Sequence, residues 1–140
     1  GAEMITQTIQ PNIAIVTDVC HDSTTQMKEK KIEGETKIGL GPVITYAPAV
    51  QNNLRELIID TANKNNIPFQ RLASSRVTGT DTDAFAYSNG GVASALISLL
   101  LRYMRTTVEM VHRSDVENVI KLIYETLLNI EDNHNLSYFK

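Results

Sequence analysis

The sequence predicts a layered α/β fold, one sheet with helices on both of its faces. Short apolar stretches of strand length alternate with amphipathic stretches of helix length, which favours that layering. The longest apolar run, Val92 to Leu101, is apolar at nearly every position rather than every second one. A strand buried on both faces requires that pattern. At 140 residues and 42% hydrophobic, the chain can build one domain with its own core.

The elements follow in order. The opening GAEMITQTIQP reads as neither a leader nor a strong first strand. A sheet that begins only at Ile13 lacks its first half, so a piece of something larger is expected. Asn12 to Val19, NIAIVTDV, reads as a buried strand running into a polar loop, CHDST. Lys28 to Lys37 is charged and reads as a solvated hairpin or loop. GLGP then forms a turn, and a short strand starts at Val43. Val50, Leu54, Leu57, Ile58 and Ala62 share one helical face, which predicts an amphipathic helix from Val50 to Asn65. IPFQRLAS is a strand opened by Pro68. Thr80 to Ser88 is a short helix, and NGG turns the chain into Val92 to Leu101. For the last helix, Ser114 and Glu117 form an S-x-x-E capping box, with Val116, Val119, Ile120, Ile123 and Leu127 on one stripe. The tail NIEDNHNLSYFK is a polar exit.

Charge narrows the function classes. The net charge is −3, and the 13 lysines and arginines are scattered, with no basic patch interleaved with aromatics. That argues against a nucleic-acid partner. No secretory apolar segment and no bilayer-length run occur, so no membrane partner is expected. The single cysteine, Cys20, excludes an internal disulfide and fits a reducing compartment, the cytoplasm by default.

Asp18, with His21 and Asp22 beyond it, offers two ligand types in a D-x-x-H-D spacing. An Asx-type turn beside a surface histidine explains the same spacing, and on spacing alone the turn is favoured. Asp81 and Asp83 in GTDTDAF stand at a loop-to-helix junction, where N-capping by Thr80 or Asp81 is the simpler role. GLGP lacks the lysine of a phosphate-binding loop and reads as a backbone turn. His112 and His134 read as structural or solvent-facing. Ser74, Ser75 and Ser94 have no histidine at a nucleophile spacing, so a hydrolytic triad has no support.

The words VTDV, GLGP, IPFQ, GTDTDA, GGVASALIS and RYM-x-T-x-VE, in this order, resemble one family. It is the co-catalytic two-metal aminopeptidases of the glutamyl, or deblocking, type. Members often assemble as tetrahedral dodecamers, and some carry endoglucanase or cellulase-like labels. The resemblance covers essentially the whole chain. It implies a zinc-exopeptidase-like fold in which residues 1–140 are the carboxyl-terminal half of the catalytic domain, with the upstream half and a PDZ-like insert absent. Implied partners are a peptide substrate, the missing amino-terminal half and further copies of the chain.

The resemblance implies that Asp18 is a metal ligand and that Asp81 and Asp83 support the site. It puts Gly41 and Pro42 in a loop near the substrate pocket. Arg105 stands where the family has a histidine that binds the second metal. A guanidinium stays protonated and has no acceptor, so it cannot ligate; it is expected to pair with Asp18 instead. The implied cofactors are two divalent ions, zinc or cobalt, holding an activated water between them at a separation of roughly 3.5–4 Å. The other ligands and the general base would lie upstream of Gly1, so this chain alone is expected to bind no metal pair and to be inert. A non-catalytic relative with a disabled metal site is the alternative, and Arg105 is its argument. A glucanase, the third reading, needs a carboxylate pair roughly 5–9.5 Å apart, which Asp81 and Asp83 are not shown to form.

Overall fold

The apolar run becomes β4 (Ala93–Arg102), the strand around which the sheet is built. A computed structural model of the chain describes residues 1–24, 34–132 and 136. β1 (Ile13–His21) runs parallel to β4 along its whole length, from Ile13 opposite Ala93 to His21 opposite Leu101. On the other edge of β4 lies β2 (Val43–Tyr46), antiparallel, with Ile44 opposite Ile97. β3 (Gln70–Ala73) is parallel to β2, and β5 (Met110–Val111) pairs antiparallel with the last residues of β4. The resulting order is β1-β4-β2-β3, with β5 against β4.

Helices cover both faces. α1 (Ala2–Ile9) precedes β1, and α2 (Asn52–Lys64) joins β2 to β3. α3 (Asp81–Ala86) packs on β1 and β4, with α1 against it. α4 (Arg113–Asn129) packs with α2 and against β4. The main core lies between the sheet and the α2–α4 layer, where Ile44, Ala95 and Ile97 meet Leu54, Ile58, Ala62 and Leu122. Successive side chains of a strand alternate faces, so Leu96 and Leu100, both buried, belong to the opposite layer. Ile120, Tyr124, Leu127 and Leu128 on α4 remain exposed. Among the described residues no helix is long and apolar enough to cross a membrane.

Several boundaries differ from expectation. The opening segment forms α1, which stops at Gln10 in a left-handed conformation (φ 50) ahead of Pro11. β1 extends past Val19 because Cys20 and His21 pair with Leu100 and Leu101, so the loop starts only at Asp22. The capping box at the last helix does not form. His112 is the N-cap, its Nδ1 accepting from the Ser114 amide at 3.3 Å, while Glu117 pairs with Arg113. Most of the charged loop from Lys28 falls outside the described residues, as does His134.

The GLGP turn has the tightest local constraint. Asp115, 0% exposed in the first turn of α4, accepts the Gly39 amide at 2.6 Å and the Gly41 amide at 2.9 Å. Gly41 has φ +94, and a Cβ there would lie 2.2 Å from the Pro68 carbonyl oxygen. Gln70 closes the turn from β3, its side-chain amide donating to the Gly41 carbonyl at 2.8 Å. Left-handed geometry alone costs a residue with a Cβ about 1–2 kcal/mol, before that clash. Gly41→Ala is therefore expected to destabilise the fold by more than about 3 kcal/mol. Asp115→Asn turns an NH2 group toward one of the two amides and should cost about 2–3 kcal/mol. Urea denaturation of both variants checks this; a midpoint unchanged in either removes the clamp.

Candidate functional site

A cleft of about 680 Å³ opens along the second half of β1. Asp18, Cys20 and His21 form one side; Leu72 to Ser75 at the end of β3 and the loop Thr78 to Thr80 form another. Leu101, Met104, Arg105 and Glu109, from the end of β4 and the loop after it, complete it. The ladder with β4 positions Asp18, which lies opposite Ser98 and whose Oδ1 accepts the Val19 amide at 2.7 Å. Its side chain is exposed, inside the strand rather than at its end.

The loop after β4 is bent by unusual backbone geometry. Tyr103 and Arg105 are both non-glycine residues at positive φ, 55 and 65. Thr106 closes the bend through amide and hydroxyl hydrogen bonds to the Tyr103 carbonyl, at 3.2 and 2.6 Å. Glu109 accepts the Arg105 amide. Arg105 and Asp18 line the same cleft, yet the ion pair expected between them is not formed.

The other sequence-derived candidates are placed differently. Asp83 holds the cleft wall, accepting the Thr78 and Gly79 amides at 3.0 Å. Asp81 is exposed at the start of α3, and the N-cap is Thr80. Asp81, Asp83, Gly41 and Pro42 do not line the cleft. Gly41 and Pro42 are buried beneath the β2–β3 edge, where Pro42 accepts the Gln70 amide at 2.8 Å. Among the described residues no three His, Cys, Asp or Glu side chains come together as a cation site. The described residues therefore do not by themselves fit a metal pair, and no chemical step is derived through one.

The sequence profile of the M42 glutamyl aminopeptidases matches residues 1–122. The chain belongs to that family. It is 35% identical over 122 residues to the lysyl aminopeptidase of Pyrococcus furiosus, covering 87% of this chain and 34% of that protein. Its fold matches an aminopeptidase of the archaeon Desulfurococcus kamchatkensis with a TM-score of 0.81 at 28% identity, over 94% of this chain and 38% of the other. It also matches the Pyrococcus horikoshii TET1 peptidase, which can assemble into a tetrahedron or a large octahedral shell (TM-score 0.67, 27% identity, 91% and 36% covered). The chain thus spans little more than a third of the length of these relatives, and its sheet with two helical layers is part of a larger M42 domain.

One carboxylate of this M42 cleft and one behind it have contacts that spacing alone did not show. Glu109 had a signal, its place in RYM-x-T-x-VE, but no spacing that showed it closing onto the amide of Arg105. Asp22 forms the Asx-type turn that its spacing favoured, through the Thr24 amide, and it is also 1% exposed and clamps the Ile38 amide behind the cleft. Its carboxylate accepts the Thr24 hydroxyl, the Ile38 amide at 2.8 Å and the Thr24 amide. Burial pushes its pKa up, but these hydrogen bonds and the nearby charge of Arg102 outweigh burial and hold it below its ordinary 3.8.

A depressed folded-state pKa favours the native state wherever the carboxylate is ionised. The contribution is complete above the unfolded value and is lost as pH falls through the folded one. Asp22→Asn should destabilise the protein by roughly 2 kcal/mol at neutral pH. The gap to the parent should stay level down to about pH 5 and close below 3.8. Chemical denaturation across that range tests it, and a gap that widens on acidification would contradict the assignment.

Proposed function

We propose that this chain is the carboxyl-terminal part of the catalytic domain of a metal-dependent aminopeptidase, which removes residues from the amino termini of peptides. Membership of the M42 family carries the reading, and the cleft that places Asp18 beside the loop after β4 supports it. On this reading Asp18 is one ligand of a pair of divalent ions, zinc or cobalt, with the remaining donors and the general base supplied from outside residues 1–140. Gly41, Pro42, Asp81 and Asp83 act behind the site: Asp83 through the wall loop, Gly41 and Pro42 through the turn on which β2 and β3 start.

A second reading, a relative that keeps the fold for binding alone, is favoured by Arg105. It stands where the family resemblance puts a histidine, and it offers no lone pair to a cation. Metal content separates the two readings. The aminopeptidase reading expects the full-length protein to release amino-terminal residues from aminoacyl-4-nitroanilides, to lose that activity to a chelator and to regain it with zinc or cobalt. Residues 1–140 alone should show no turnover. Absence of turnover by the full-length protein across a panel of aminoacyl groups, together with no bound metal, would leave only the binding role.

We also propose that the protein works as a homo-oligomer. The exposed apolar residues of α4 and the edge of β1 that no described strand covers are surfaces that invite association. Light scattering at tens of micromolar should report a mass several times that of one subunit, and a monodisperse monomer would argue the other way.

A further inference from the structure

Arg105 is held in place by its backbone, while its side chain has no partner among the described residues. A non-glycine residue at φ 65 is kept in a costly conformation only where its surroundings impose it. Here the Glu109 carboxylate accepts the Arg105 amide, and Thr106 closes the turn on Tyr103. Within the described residues the guanidinium makes no hydrogen bond, ion pair or ring contact. Four of the other five arginines are engaged: Arg55 with Asn52, Glu56 and the Tyr46 ring, Arg71 with Tyr46 and Phe69, Arg102 with the Tyr103 ring, and Arg113 with Glu117; Arg76, also without such a contact among the described residues, lies outside the cleft. Arg105 instead lines the 680 Å³ cleft, whose lining also includes Ser74, bonded to the Val77 carbonyl, Ser75, and the mutually bonded hydroxyls of Thr78 and Thr80.

A guanidinium presents a planar fork of donors that matches a carboxylate at two points, and hydroxyls can satisfy the remaining lone pairs. We propose that Arg105 is a specificity-determining residue that receives a carboxylate of the bound peptide. That carboxylate is either the side chain of an acidic amino-terminal residue or the free carboxyl terminus of a short peptide. The proposal rests on the aminopeptidase reading for its substrate class, but the anion site itself stands on the geometry of the loop.

The experiment uses the full-length protein and compares each charged ligand with a neutral near-isostere. Glutamyl- and glutaminyl-4-nitroanilide test the side-chain source; trialanine and trialanine amide test the terminal source. In one arm the parent should prefer the charged member by roughly 10–100-fold in kcat/KM. Arg105→Gln should erase that ratio and Arg105→Lys retain part of it; because a ratio is read, any general loss of activity cancels. Equal rates within both pairs, or a preference that survives Arg105→Gln, overturns the proposal. If nothing is hydrolysed, the aminopeptidase reading fails, and calorimetric titration with glutarate and with trialanine decides for Arg105 separately. Binding by the parent that Arg105→Gln weakens at least tenfold supports the site. No binding, or binding that the variant leaves unchanged, refutes it.

Discussion

Among the described strands, every one except β3 hydrogen-bonds to β4, and the rest of the fold follows from satisfying that strand. From Ala93 to Leu101 it is buried apart from half-buried Leu99, so its backbone groups have no access to water and need partners on both edges. β1 fills one edge over 9 residues; β2 and β5 share the other, β2 at Ile97 and Ser98, β5 at Leu101 and Arg102. The length of β4 thereby sets the length of β1 and draws Asp18, Cys20 and His21 into the ladder. The cleft opens along the second half of β1. It ends where β4 does, at the bend that carries Tyr103 and Arg105.

Two buried carboxylates solve a second problem of the same kind. Residues 38–41 form no helix or strand, so the amides of Ile38, Gly39 and Gly41 take partners from outside the ladders. Asp22, from the end of β1, takes the Ile38 amide; Asp115, from the first turn of α4, takes those of Gly39 and Gly41. The turn is thus pinned from two elements far apart in sequence. Ionised acceptors bind amides more strongly than neutral ones, which offsets the cost of their own burial. Asp115 also stands where the helix dipole favours a negative charge. The glycines are required on the other side of the same contact, where the Pro68 backbone leaves Gly41 no room for a side chain.

What the sequence made legible was whatever local periodicity decides. α2 falls inside the expected helix, β4 is shifted by a single residue from the apolar run, and Thr80 caps α3 as the capping rule suggests. Features decided by a distant partner were not legible. Cys20 and His21 look like loop residues until Leu100 and Leu101 pair with them. Ser114 looks like an N-cap, but the ring of His112 takes the cap position and lies against Gly39, 3.3 Å from where a Cβ would be. β5 has only two residues and no pattern of its own. In the site, Asp18 and Arg105 do meet in one cleft, because both belong to words at the β1–β4 pair. Gly41, Pro42 and Asp81 sit elsewhere, since a conserved-looking word marks a tight turn or a helix start as readily as a pocket.

The charge at Arg105 bears on both ways of using the cleft. Two unit charges about 4 Å apart interact by about 4 kcal/mol at an effective dielectric of 20, and a divalent ion doubles that. A guanidinium that stayed near Asp18 would therefore oppose a cation there as strongly as it attracts a carboxylate. The side chain, however, is long and exposed, and neither Asp18 nor Glu109 holds it by an ion pair. Only its backbone is fixed. A flexible stem on a rigid bend lets the positive end move away from a cation at Asp18 while still reaching an anion elsewhere in the cleft. An ion pair with Asp18 would have removed that freedom. A guanidinium unpaired within the described residues leaves the carboxylate of Asp18 and the charge of Arg105 available, on the reading proposed above, to different groups of one bound peptide.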